Sequence, residues 1–225
     1  MASPLSDLRE HERGTYSQFG EEGVLARIFE SIGVRHRYCV EFGAKDGETI
    51  SNTAWLRRDQ GWSSLLMEGD PAWAGQGVQT EFVTAENVNA LFSKHHVPSE
   101  FDLLSIDVDG NDYWIWRAID AFEARVVVVE YNIFFGLHVA KTIEYRPDHV
   151  WDGTTYHGAS LAALDKLGRA KGYCLVHTES WAPNAFFVKR SELPEGYVER
   201  PIHELTDWGA YLEPRDTADR NWVSV

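Results

Sequence analysis

Apolar positions along the first 130 residues change repeatedly between helical and strand-like spacing. From Thr15 to Ile32 they recur at near-helical intervals, and Thr15 with Gln18 fits a capping box at the start of a helix. Short apolar runs then alternate with helical stretches. The predicted strands are Tyr38–Phe42, Ser63–Met67, Thr80–Val83, Asp102–Ile106 and Arg125–Glu130, and the predicted helices are Ile50–Arg58, Glu86–His95 and Tyr113–Ala121. This alternation predicts an α/β fold with a Rossmann-like, doubly wound, mostly parallel sheet.

The pattern changes after residue 131. Residues 132–158 hold three histidines and five aromatic residues with little periodicity, which predicts a lid or substrate wall inserted in the fold. Helical spacing returns over Ser160–Lys171, and the runs Tyr173–His177 and Ala185–Lys189 predict an antiparallel pair that closes the sheet. We therefore expect one domain over residues 1–225, comprising an N-terminal helical cap (1–35), a core (36–190) and a wrapping C-terminal tail (191–225).

Charge narrows the classes of partner. The chain has 21 Lys and Arg against 35 Asp and Glu, a formal charge of −14, which repels nucleic-acid phosphates and anionic membranes. The N-terminus lacks the apolar core of a secretory signal, and no window approaches a membrane span, so a cytoplasmic protein is expected. Cys39 and Cys174 lie in apolar runs and are expected to be reduced core residues. A homo-oligomer remains open.

A glycine-bearing turn follows the first predicted strand, in the sequence Val40-Glu41-Phe42-Gly43-Ala44-Lys45-Asp46-Gly47. In open α/β sheets a nucleotide approaches the backbone at this turn, and Gly43 and Gly47 would leave room for it. The turn departs from the dinucleotide pattern G-x-G-x-x-G, which argues against pyrophosphate binding. The alternative is a tight turn that needs glycine only for its backbone dihedrals.

An acid ends the next strand. Glu68 follows Gly47 by about twenty residues, the position from which a carboxylate accepts hydrogen bonds from both hydroxyls of a ribose. Asp70 competes for this role, and either residue could instead be a solvated loop acid.

Acidic residues also follow the two later strands. Asp107, Asp109 and Asp112 come within six residues of one another and repel unless a cation, hydrogen-bond donors or water surround them. Oxygen-rich clusters suit Mg²⁺, and Glu130 with Asn132 would reach the same edge of the sheet. The expected metal set is therefore Asp107, Asp109, Glu130 and Asn132. The alternative is a set of polar loop ends, with Asp112 capping the following helix.

Taken together, several short motifs resemble the FkbM-type enzymes among the class I S-adenosylmethionine-dependent methyltransferases. They occur in the family's order between roughly residues 15 and 190, and they are Tyr16–Leu25, Val40–Gly47, Ser51-Asn52-Thr53, Leu66–Asp70 and Phe101–Asn111. The resemblance implies S-adenosyl-L-methionine as cofactor and is much less informative about the acceptor.

The resemblance also implies places for individual residues. Around the methionine end of the cofactor we expect Glu41, Gly43 and Gly47, with Ser51, Asn52 or Gln18 near its carboxylate. The ribose would meet Glu68, the adenine Ala85 or Glu86, and the sulfonium Asp107. Related macrolide-sugar and catechol O-methyltransferases bind a divalent metal through an acid in the place of Asp107. Catechol enzymes have a lysine three residues later, where this chain has Gly110.

The expected activity is therefore methyl transfer to a small molecule, by O-methylation of a sugar or secondary-metabolite hydroxyl with Mg²⁺ assistance. His138 and His157 are the best candidates for the base by residue type, followed by Lys141. Trp151 and Tyr156 could wall an apolar acceptor pocket. The rival functions are a nucleotide- or metabolite-binding module without transferase activity and a nucleotide-dependent oxidoreductase.

Overall fold

The computed structural model describes residues 4–73, 77–180, 183–206 and 219–225. Its strands are β1 (Tyr38–Phe42), β2 (Ser63–Glu68), β3 (Val78–Thr80), β4 (Glu100–Ile106), β5 (Glu123–Glu130), β6 (Lys141–Ile143), β7 (Tyr173–Thr178), β8 (Asn184–Lys189) and β9 (Trp222–Ser224). Its α-helices are α1 (Glu21–Ile32), α2 (Ala54–Arg58), α3 (Val88–Lys94), α4 (Asp112–Ala118), α5 (Leu161–Ala170) and α6 (Ile202–Leu205).

Seven strands form the main sheet in the order β3-β2-β1-β4-β5-β8-β7. Strands β1 to β5 pair in parallel, whereas β8 runs antiparallel to both β5 and β7. This confirms the predicted mostly parallel sheet with an antiparallel C-terminal pair. After β1 the chain adds β2 and β3 on one side of β1, and β4 then pairs on the other side of β1. The strand order therefore reverses between β1 and β4. In open α/β sheets, ligands bind at this reversal.

Helices cover both faces of the sheet, as a doubly wound fold requires. One core is built from α3, α4 and α5 against side chains such as Val127, Val129 and Phe187. The other packs α1 and α2 against Val126 and Val128 and their neighbours. The alternating valines of β5 thus enter opposite cores, which explains why this strand is apolar along its length.

The predicted start of the first helix is wrong. The helix begins at Glu21, and the residues before it fold around the carboxylate of Glu22, which accepts hydrogen bonds from the backbone N–H groups of Thr15 and Tyr16 and from the hydroxyl of Ser17. Thr15 and Gln18 therefore form no capping box, because a carboxylate inside the helix attracts the loop instead. Gln18 is exposed.

The predicted lid contains regular structure of its own. Strand β6 lies within residues 132–158 and pairs antiparallel with β9 from the C-terminal tail, forming a separate two-stranded sheet. The tail therefore ties down this segment, which we call the lid. The Trp181-Ala182 part of the predicted β7–β8 connection lies outside the described residues. Among the helices described, the longest has 12 residues, and none combines the length and apolarity needed to cross a bilayer.

Candidate functional site

The turns after β1 and β4 touch through backbone. Gly43 has a φ of +69°, and a Cβ placed there would lie 1.7 Å from the carbonyl oxygen of Asp107. The glycine is thus required by the protein's own backbone as well as by its dihedral angle. This contact brings the first turn against the acid that follows β4.

Glu41, at the end of β1, is buried and bonded to the loop that precedes α2. Its carboxylate accepts hydrogen bonds from the Ser51 hydroxyl at 2.6 Å, the Asn52 backbone N–H at 2.8 Å and the Thr53 hydroxyl at 2.5 Å. Burial raises the pKa of Glu41, and these three donors oppose the rise. The structure thus brings Ser51 and Asn52 to Glu41, and both of them donate hydrogen bonds to its carboxylate. Their contact with a cofactor stays a prediction.

Glu68 faces the same turn. One carboxylate oxygen accepts the backbone N–H of Lys45 at 3.0 Å and the other accepts that of Asp70 at 2.8 Å. Each oxygen therefore keeps one acceptor position, which is what two neighbouring ribose hydroxyls need. Phe82 packs against Gly69 beside this acid, with 42% of its surface exposed.

The residues expected near an adenine are held by the lid. The Tyr145 hydroxyl donates to the carboxylate of Glu86 and accepts the backbone N–H of Ala85, the latter at 3.2 Å. Glu86 is otherwise exposed, and its hydrogen bond to Tyr145 holds its pKa below the ordinary value. The lid therefore contacts the loop between β3 and α3, where the adenine is expected.

Three of the predicted metal ligands converge. Carboxylate oxygens of Asp107, Asp109 and Glu130 all lie within 4.8 Å of one another, and Asp109 is exposed. Burial, followed by repulsion from neighbouring acids, raises the pKa values of Asp107 and Glu130 well above their ordinary values, while Lys45 opposes the rise. Oxygen Oε2 of Glu130 is buried and has no hydrogen-bond partner among the described residues. This donor set fits a divalent cation.

Asp112 shapes the loop that carries two of these acids. It is the first residue of α4 rather than its cap, and its carboxylate accepts the backbone N–H groups of Val108 at 2.8 Å and Gly110 at 2.9 Å. Burial raises the pKa of Asp112 to about 6. The hydrogen bonds hold the backbone between Asp107 and the helix in a fixed turn.

Asn132, the fourth predicted ligand, is hydrogen-bonded through both ends of its side-chain amide, and its binding to a metal stays a prediction. Its side-chain amide donates to the carbonyl oxygens of Thr155 at 2.9 Å and His157 at 2.8 Å, and its oxygen accepts the backbone N–H of Phe134 at 3.0 Å. The buried amide is thus committed to holding the lid against the end of β5. Sequence position alone could not reveal this, because the two carbonyl groups that accept from the amide lie more than twenty residues away.

The two predicted bases are placed very differently. Atom Nδ1 of His157 lies 3.8 Å from Oε2 of Glu130, and burial lowers the pKa of this histidine, so it is neutral near pH 7. His138 is exposed in a turn, and within the described part of the chain nothing joins it to the acids. Lys141 lies in β6, where its backbone N–H bonds to the Ser160 hydroxyl.

Sequence reasoning missed His149. Its ring packs on the acid-bearing loop, since a Cβ on Gly110 would lie 2.3 Å from Cδ2 of His149. Its Nε2 is buried without a hydrogen-bond partner among the described residues, and burial lowers its pKa. The only available signal was a third histidine in the lid, which periodicity could not rank.

A buried pair of acids, Glu21 and Glu179, was also missed. Asn184 lies opposite Glu130 in the β5–β8 register, and its side-chain amide donates to the Glu21 carboxylate at 2.8 Å. Glu179, just after β7, is 1% exposed, and burial followed by repulsion from Glu21 raises its pKa to about 10. Because α1 lies far in sequence from β7 and β8, no local pattern indicated this pair.

This pair predicts a pH-dependent stability. The folded-state pKa of Glu179 lies above the unfolded value. The stability that the protonated carboxyl contributes is therefore lost as the pH rises from the unfolded pKa to the folded pKa. Glu179→Gln, whose amide replaces the carboxyl proton, should stabilise the fold by about 3 kcal/mol more at about pH 7.5 than at about pH 5.5. Urea unfolding at both pH values measures this difference. The exposed Glu195→Gln should show none, and an equal effect at the two pH values would contradict the assignment.

Solved structures include a match to this chain. The structure of the CMeT domain of the citrinin polyketide synthase matches with a TM-score of 0.38 and 10% sequence identity. The match covers 75% of this chain and 51% of that chain, so this chain spans about half its length. No family model matches the sequence, and no curated protein matches it.

Proposed function

We propose that this protein is an S-adenosylmethionine-dependent methyltransferase. The observation that carries the proposal is the convergence of three turns on one edge of the sheet. Glu68 after β2 accepts the backbone N–H of Lys45 after β1, and Gly43 in that same turn contacts the carbonyl of Asp107 after β4. A nucleotide whose ribose meets Glu68 would thereby direct its other end toward Asp107. The resemblance of the sequence motifs to FkbM-type enzymes supports the same cofactor.

The proposed reaction is O-methylation of a small-molecule hydroxyl, on a sugar or a secondary metabolite. S-adenosylmethionine supplies an activated methyl group when bound. The chain must then align the acceptor oxygen with the methyl carbon and the sulfur, exclude water and help to remove a proton. Asp107 would lie beside the reacting groups, and the lid would cover them.

The acid cluster would hold the divalent cation that assists this reaction. Asp107, Asp109 and Glu130 are the proposed ligands. When bound there, the cation would lower the pKa of an acceptor hydroxyl. His157 lies 3.8 Å from Glu130 and is neutral near pH 7, so its free nitrogen could accept the hydroxyl proton.

Removing the ribose acid should weaken cofactor binding. Glu68→Ala is expected to reduce the affinity for S-adenosylhomocysteine by about 1–3 kcal/mol, because hydrogen bonds to a partly buried ribose are lost. Isothermal titration calorimetry measures the change. Asp70→Ala serves as the matched control, since the Asp70 carboxylate accepts a local N–H from Ala72 and should leave the affinity unchanged. Equal losses in the two variants would refute the role of Glu68.

One titration series separates the proposed cofactor from that of the rival oxidoreductase and tests the metal. S-adenosylhomocysteine, NAD and Mg²⁺ are titrated separately into the protein. We expect micromolar binding of S-adenosylhomocysteine and no binding of NAD. Binding of NAD alone would support the oxidoreductase instead, and binding of S-adenosylhomocysteine without any binding of Mg²⁺ would remove the metal from the proposal.

A further inference from the structure

The loop between β3 and α3 offers a place for a flat base beside the proposed ribose acid. Phe82 packs against Gly69, the residue after Glu68, and leaves 42% of its surface exposed. The backbone N–H of Ala85 and the exposed carboxylate of Glu86 follow along the same loop. Aromatic faces stack on bases, while an N–H and a carboxylate bind a polar edge. The loop thus combines both kinds of contact.

This loop is fixed by its own hydrogen bonds. The backbone N–H of Thr84 donates to the side-chain oxygen of Asn87 at 2.8 Å, and that of Asn87 donates back to the Thr84 hydroxyl at 3.3 Å. The Asn87 side-chain amide also donates to the carbonyl of Phe82 at 2.9 Å. Ala85 and Glu86 lie between the two bonded residues, so the chain itself positions their backbone.

A side chain of the lid already bonds to both polar partners. The Tyr145 hydroxyl donates to the Glu86 carboxylate and accepts the backbone N–H of Ala85, the latter at 3.2 Å. The edge of adenine presents an amino donor next to a ring-nitrogen acceptor. It would donate to Glu86 and accept from Ala85, so the hydroxyl makes the two contacts that an adenine edge would make.

We infer that Tyr145 competes with the adenine of the cofactor for Ala85 and Glu86, so that cofactor binding displaces its side chain. The inference rests on the proposed function, which supplies the adenine. The apparent affinity of a ligand falls in proportion to the fraction of molecules whose site is open. Tyr145 is therefore a gate at the adenine end of the crevice, and its two hydrogen bonds lower the affinity for the cofactor.

The displacement would be confined to the Tyr145 side chain. The backbone on both sides of this residue is bonded to other parts of the protein. These hydrogen bonds run from the Trp114 indole N–H to the Ile143 carbonyl at 2.9 Å, from the Glu144 N–H to the Tyr156 hydroxyl at 3.1 Å, and from the Asn111 amide to the Arg146 carbonyl at 2.7 Å. Rotation of Tyr145 would thus open the adenine position while the lid stays attached to the acid-bearing loop.

Isothermal titration calorimetry with S-adenosylhomocysteine tests the gate, together with urea unfolding of the same proteins. Tyr145→Phe removes the competing hydroxyl, so the affinity should rise about fivefold. The same substitution removes two hydrogen bonds of the protein itself, so the urea midpoint should fall. A hydroxyl with only a structural role would not produce tighter binding when it is lost.

Tyr156→Phe is the matched control. Its hydroxyl also makes two hydrogen bonds, but its partners are the Glu144 N–H and the Asn221 carbonyl instead of the pair expected to bind adenine. This variant should lower the urea midpoint without tightening the binding of S-adenosylhomocysteine. S-inosylhomocysteine is the second probe, because an oxygen replaces the amino donor of its base. It should bind the wild-type protein at least about tenfold more weakly than S-adenosylhomocysteine.

Three outcomes would overturn the inference and leave the proposed function standing. They are unchanged or weaker binding of S-adenosylhomocysteine to Tyr145→Phe, equal tightening in the two variants, and equal binding of the adenosyl and inosyl compounds to the wild-type protein. A lack of S-adenosylhomocysteine binding in all of the proteins would reject the proposed function, and the gate with it.

Discussion

Asp107→Asn should lower the rate of methyl transfer by about 10³-fold while leaving the affinity for S-adenosylhomocysteine nearly unchanged. Asp107 has its carboxylate within 4.8 Å of those of Asp109 and Glu130, and the amide cannot supply the negative charge that a divalent cation needs. The measurement is turnover with Mg²⁺ present, together with calorimetry for the cofactor product.

The matched control for this variant is Asp148→Asn. Asp148 is an exposed acid of the lid, so the substitution removes the same charge away from the cluster and should leave turnover intact. Full activity of the wild-type protein in a chelator would reject the metal and leave the methyltransferase proposal standing. Full activity of Asp107→Asn would reject the placement of Asp107 beside the reacting groups.

Gly43→Ala should destabilise the fold by about 3 kcal/mol or more. Part of the cost is the positive φ of +69°, and part is the Cβ that would meet the Asp107 carbonyl oxygen at 1.7 Å. The backbone must shift to relieve this overlap, which would separate the turns after β1 and β4. Urea unfolding monitored by tryptophan fluorescence gives the free-energy change.

Gly61→Ala is the control for this substitution. Gly61 has a φ of +68° but no atom within 4 Å of an added Cβ, so only the conformational cost of about 1–2 kcal/mol applies. A similar loss in the two variants would show that the close contact between the turns after β1 and β4 adds nothing to the cost of the substitution.

The order of elements in this fold could be predicted from the sequence because each buried strand is a short apolar run between helical stretches. Tyr38–Phe42 was predicted with its observed bounds, and the other main strands shifted by at most a few residues. The start of α1 could not be predicted, since the Glu22 carboxylate draws the preceding loop around itself. Nor could β6 be predicted, because its pairing partner β9 lies about eighty residues later.

Some residues of the candidate site could likewise be predicted from the sequence, and others could not. Asp107, Asp109 and Glu130 were predicted to converge because acids that follow neighbouring parallel strands reach one edge of the sheet. Asn132 and His149 depend instead on how the lid packs back, which spacing along the chain does not encode. Side chains on regular strands were thus predictable, and those placed by long-range loop contacts were not.

A crystal structure of the protein with S-adenosylhomocysteine tests the central claim most directly. We predict the ribose hydroxyls on the Glu68 carboxylate, the homocysteine end beside Gly43 and Gly47, and the sulfur facing Asp107. Binding of the molecule elsewhere, with Glu68 and Asp107 both out of contact with it, would contradict the account.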